Sequence, residues 1–137
     1  MTTPHEILNP PEMASPVGFS HAVVAAPGRT IYLGGQAAHD GDGKLVEGKI
    51  VAQFEQAAKN VVNALGAAGA RPEHLVSMQI YVTDAAAYRE SLKELGEVYR
   101  EHFGDHYPAI ALFEVRQLFD PAALVELVCI AVAPKGS

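Results

Sequence analysis

Residues 123–133 read ALVELVCIAVA, and both parities of this run are apolar. Leu124, Val128, Ile130 and Val132 fall on one side of an extended chain, with Val125, Leu127, Cys129 and Ala131 on the other. A strand with one solvated face alternates apolar and polar residues, so this strand needs cover on both sides. Upstream, Val51, Phe54, Ala58, Val61 and Leu65 recur at steps of three and four between Ile50 and Ala68, and GARP (69–72) stops the run. That spacing predicts a first helix. LVSMQIYVTD (75–84) follows as a strand. Asp84 is placed to cap a second helix whose apolar stripe is Tyr88, Leu92, Leu95, Tyr99 and Phe103, ended by Gly104. AIALFEVRQL (109–118) is the next strand. Toward the N-terminus, prolines at 4, 10, 11 and 16 make an extended arm with room for one short strand at HEIL (5–8). FSHAVVAAP (19–27) and RTIYLGGQ (29–36) then read as a hairpin about Pro27-Gly28-Arg29, closed by the turn residues HDGDG (39–43).

This order predicts one α+β domain over residues 1–137, a mostly antiparallel sheet with two helices on one face. The helices cover one side of the last strand, and no further element remains for the other. Another copy of the same chain is the expected cover, so the protein is read as a homo-oligomer.

Composition narrows the function. A chain of 137 residues with only 19% charged residues can bury a core without staples and is not a disordered tail. A net charge of -6 and the lack of any basic run argue against nucleic acid. A single cysteine excludes an internal disulfide or multi-cysteine metal site and suits a reducing compartment. The N-terminal residues lack a signal-like pattern and no stretch is long enough to span a membrane, so a cytoplasmic protein without membrane partners is expected.

Glu126 interrupts the apolar parity of the last strand. An ionised carboxylate among apolar neighbours is costly unless paired or hydrogen-bonded, and such a group is a candidate general acid or base. A solvated position near the strand's mouth, or an arginine partner, explains it equally well. Both readings stand.

The motifs GFSHAV, IYLGGQ, AAGA, YVTD, EVYREHFG, YPA and LVELVCIAVA, in that order and spacing, resemble the Rid family, the RidA-like or YjgF-like reactive-intermediate deaminases. The resemblance covers nearly the whole chain. It implies a chorismate-mutase-like α+β fold and a homotrimer whose sheets form a central barrel, with a small-molecule cleft at each subunit interface. It further implies hydrolysis of short-lived imines and enamines, such as 2-aminoacrylate, to a ketoacid and ammonia, with no metal or organic cofactor.

Carried over by position, the resemblance leaves a gap. In the deaminating branch an arginine follows Pro-Ala on the penultimate strand and clamps the substrate carboxylate; here that position is Ile110. A family cysteine nearby falls on Leu112, and a tyrosine of the entrance segment on Phe19. A helical asparagine falls on Gly96, in a segment about one turn longer than usual. Gly35 of LGGQ, whose backbone would line the cleft, and Glu126, which would position or activate water, are retained. Losing a charge-assisted bond of about 1.5–3 kcal/mol makes efficient 2-aminoacrylate deamination unexpected. A neutral or cationic imine, or an apolar carbonyl compound, suits a cleft lined by Phe19, Ile110 and Leu112 better.

Other residues carry weaker signals. His21 adds a proton-transfer group beside Phe19, or is satisfied by backbone. His102 and His106 have helical ligand spacing, but Gly104 between them ends the helix, so no metal site is expected. Cys129 reads as packing and Tyr99 as core, while Gly96 suggests close approach of backbone or ligand. Arg116 shares the parity of Ile110 but lies about 20 Å along an extended strand, too far to replace the clamp. Three classes follow: a Rid-like imine or enamine hydrolase of altered specificity, a non-catalytic trimeric small-molecule-binding or regulatory protein, and a ribonuclease. The acidic composition and the lack of a basic-aromatic surface weigh against the last.

Overall fold

A computed structural model describes residues 2–135. Six strands and three α-helices follow in the order β1 (Glu6–Leu8), β2 (Ala22–Val24), β3 (Arg29–Tyr32), α1 (Ile50–Ala67), β4 (Leu75–Val82), α2 (Ala85–Glu90), α3 (Leu92–Phe103), β5 (Ala109–Glu114) and β6 (Val125–Ala133), with one 3-10 turn at Pro72–His74. The main sheet runs β3-β6-β4-β5, and β1 pairs with β2 in a separate ribbon. Within the main sheet β3–β6 and β6–β4 are antiparallel, while β4–β5 is parallel. A parallel pair needs a long crossover, and α2 with α3 supplies it.

The doubly apolar β6 is an interior strand, flanked by β3 and β4. Its residues Val125, Leu127, Cys129 and Ala131 are buried beneath the helices, where α1 contributes Phe54, Ala58, Val61 and Leu65 and α3 contributes Leu95, Tyr99 and Phe103. The opposite parity faces away from the helices. Cross-strand register places Glu126 beside Tyr81, Val128 beside Gln79, and Ile130 between Ser77 and Tyr32 on that side. Tyr81 stacks on Phe113 there, with ring centroids 5.5 Å apart. Val128 and Ile130 are only half-buried, and Tyr32 is 77% exposed.

Two expectations are corrected. The runs at 19–27 and 29–36 do not form a hairpin, because β2 pairs with β1 and β3 pairs with β6. A long apolar strand offers β3 more burial than the three-residue β2. At the junction, a Cβ at Gly28 would overlap the Ala133 carbonyl, so only glycine lets the chain enter this close. The second helix, read as continuous from Asp84, breaks at Ser91 into α2 and α3. Asp84 caps α2 as expected, its carboxylate accepting from the Ala87 amide at 3.1 Å.

Candidate functional site

The LGGQ segment builds one side of the site. The Leu33 amide donates to the Cys129 carbonyl, and Gln36 and Leu127 exchange both backbone hydrogen bonds. Gly34 and Gly35 therefore oppose Val128 alone, a β-bulge that ends β3 and turns its backbone toward the neighbouring Glu126. A side chain at position 35 would overlap the Glu126 carboxylate, so the carboxylate lies directly on the Gly35 backbone.

This pair lines a cavity of about 480 Å³ together with Asn60, His39, Asp120 and Phe119. Helix α1 fixes both loops of its wall through side-chain amides. Asn60 Nδ2 donates to the Ala37 and His39 carbonyls at 3.0 and 2.8 Å. Gln53 Nε2 donates to the Ala122 carbonyl at 3.3 Å, and its Oε1 accepts from the Leu124 amide at 2.8 Å. The sequence reading missed both amides; a buried glutamine beside Phe54 in an otherwise apolar stripe was the available signal. It also missed the pair of His39 Nε2 with Asp120 Oδ2 at 3.1 Å. The Ala122 amide, and then His39, hold the Asp120 carboxyl below its ordinary range.

Phe19, Ile110 and Leu112 lie elsewhere. They line a second cavity, of about 580 Å³ and mostly apolar, between α3 and the outer strand β5, with Leu92, Gly96 and Arg100 of α3 in its wall. Strand β5 is at one edge of the main sheet and β3 at the other, so one protomer carries the two residue groups apart. His21 lines neither of these two cavities but a smaller one, of about 260 Å³, with Phe19 and Ile110. Its ring packs edge-on against Phe19 at 5.1 Å, and its Nε2 is 2.7 Å from the Ala14 carbonyl, so it is a histidine satisfied by backbone. Arg116 lies beyond the end of β5.

His102 and His106 do not converge. His106 is buried with Nε2 2.8 Å from the Leu75 carbonyl, and burial pushes its pKa down. His102 instead reaches Glu55 on α1 at 3.1 Å, and that hydrogen bond is the main cause holding the Glu55 carboxyl low. Glu55, Glu101 and His102 bring their ligand atoms within 4.8 Å of one another across the two helices. Cys129 is buried under the helices, its thiol pushed up to about 12 by desolvation, which agrees with packing rather than nucleophilic chemistry. Tyr99 is core, and its hydroxyl donates to the His106 carbonyl at 2.7 Å. No helix among the described residues is long and apolar enough to cross a membrane.

An interior β6, a carboxylate seated on a glycine bulge and an apolar cavity beside the outer strand together define a mixed α+β protein with two separate cavities. A family model described as Endoribonuclease L-PSP matches residues 10–133. The chain belongs to this family, the YjgF/RidA or Rid proteins. Human 2-iminobutanoate/2-iminopropanoate deaminase is 30% identical over 83% of this chain and 79% of its own length. A Rid-family protein of unknown function from Yersinia pestis, YyfB, superposes with a TM-score of 0.85 at 31% identity, covering 94% of this chain and 98% of its own. RidA from an Antarctic Psychrobacter follows at a TM-score of 0.68 and 29% identity, covering 88% and 92%.

Proposed function

We propose that this protein hydrolyses a small imine or enamine other than 2-aminoacrylate, with Glu126 as the base toward water, in a cleft that two copies complete. The observation that carries the reading is the Glu126 carboxylate lying on the Gly34–Gly35 bulge in a polar cavity. There it can accept a proton from water while the oxygen attacks the imine carbon. Glu126 passes that proton to the nitrogen to give a carbinolamine, and as the hydroxyl proton is relayed through Glu126 to the nitrogen the C–N bond breaks, releasing ammonia and leaving a carbonyl. The relatives named as 2-iminobutanoate/2-iminopropanoate deaminases support this reaction class. They do not supply the substrate, because Ile110 offers an alkyl group where the resemblance places an arginine.

The Glu126 cavity lies toward the β3 side of the sheet and the apolar cavity beside the β5 edge, so joining them into one cleft requires the β5 edge of one copy to approach the β3 edge of the next. Such a head-to-tail contact repeats until a ring closes. A homotrimer with a central barrel answers this and also covers the open face of β6. No metal or organic cofactor enters the proposed step.

The test generates imines in situ from neutral, acidic and basic amino acids with amino-acid oxidases, and 2-aminoacrylate with a dehydratase. Accelerated hydrolysis of at least one imine by the wild type, lost about 10²–10⁴-fold in Glu126→Gln with the oligomer intact, is expected. Equal turnover by the variant would remove Glu126 from the mechanism. A second reading, a binding protein without catalysis, is favoured by Ile110 alone; it predicts an inert wild type that still retains an apolar ligand.

A further inference from the structure

Among the residues lining the cavity beside β5, Arg100 is the one with a formal charge. No carboxylate pairs with its guanidinium among the described residues. We infer that this cavity takes a small organic carboxylate with an apolar body, its anionic end held by Arg100 and its body lying against Leu92, Ile110 and Leu112. The inference rests on the function proposed above and names the substrate class of that site.

Two observations besides the charge support it. Gly96 occupies an interior position of α3, where glycine is unfavourable relative to alanine. A Cβ there would stand 3.3 Å from Arg100 Nη1 and 3.9 Å from its Cζ, so the glycine leaves room for the guanidinium to fold back over the helix at the cavity wall. Leu92 belongs to the predicted apolar stripe of α3 yet is 56% exposed, and it forms part of the same wall. An exposed leucine beside an unpaired guanidinium matches a ligand with one apolar and one anionic end. A planar fork suits a carboxylate, whereas a cationic imine would meet the guanidinium as a like charge. Positive charge absent at position 110 is in this way restored from a different element.

The experiment measures binding without turnover. Isothermal titration of the Glu126→Gln protein with phenylpyruvate and with phenylacetone compares the same aromatic body with and without a carboxylate. Phenylpyruvate is expected to bind more tightly and to weaken with added salt. Arg100→Gln should reduce its affinity by about tenfold or more while leaving phenylacetone unchanged. Gly96→Ala, which crowds the guanidinium, should shift phenylpyruvate affinity in the same direction. Equal binding of the two probes, binding of neither, or unchanged phenylpyruvate affinity in a folded Arg100→Gln protein overturns the inference. Its failure is distinct from that of the hydrolase reading. Carboxylate binding with Glu126-independent turnover removes the base alone; Glu126-dependent turnover with KM for carboxylate imines unchanged in Arg100→Gln removes the anion site alone.

Discussion

Gly35 is defined by the carboxylate pressed against it. The overlap that a methyl group would create involves the far end of Glu126, a flexible side chain, rather than backbone. Gly35→Ala should therefore fold normally and displace the carboxylate. Since misplacing a reacting group by about 1 Å can cost about 10²-fold, imine turnover should fall by that order while the melting temperature stays near wild type. A variant that loses stability as much as activity would show that position 35 serves the fold instead. His106 makes a prediction of a different kind. Its buried ring is held neutral beside the Leu75 carbonyl, with its folded pKa below the ordinary value through desolvation. The folded state consequently binds fewer protons than the unfolded chain. The stability this contributes is complete above about pH 6.5 and drains away as pH falls from there through the depressed folded value. His74, also buried and depressed by desolvation, adds in the same direction. Thermal melts between pH 7.5 and 5 should fall with acidification, and His106→Asn should flatten that slope; a slope unchanged in the variant would assign the effect elsewhere.

Among the elements, helices were more legible in the sequence than sheet partners. The three-and-four spacing from Val51 to Leu65 located α1 to within a residue of its end, because that periodicity is local and its buried face is continuous. Asp84 was legible for the same reason, and Asp84→Ala should cost about 1 kcal/mol in a urea titration. A cost near zero would mean that solvent satisfies the Ala87 amide as well. Strand pairing was not legible: β1, β2 and β3 are three or four residues long, and the winning partner for β3 lies about 100 residues away on β6. Nearness in sequence favoured the β2–β3 hairpin, whereas burial against β6 decided the pairing. The site divided along similar lines. Glu126 was visible as a charge out of pattern, while Arg100 was hidden because an arginine on a helix surface is ordinary. Only its relation to Gly96, four residues earlier and on the same helical face, distinguishes it.

At the scale of the whole molecule, one sheet face is packed under two helices and the other carries Val128, Ile130, Tyr81 and Phe113, which no helix among the described residues covers. Phe119, beside the Glu126 cavity, is fully exposed. Sedimentation equilibrium should report a trimer, and Val128→Lys should dissociate it by setting a charge among those apolar side chains. A monomeric wild type at micromolar concentration would overturn the assembly. The bulge at Gly34–Gly35 has a further consequence for sequence change. It adds one residue to the β3 side relative to β6, and the ladder resumes in phase beyond it, with Gln36 opposite Leu127. Deleting a single glycine would close the ladder with Gln36 still opposite Leu127 and on the same face, and would flatten the backbone that now turns toward the Glu126 carboxylate. A substitution at this point crowds the acid, whereas a one-residue deletion takes its seat away and leaves the pairing on either side as it was.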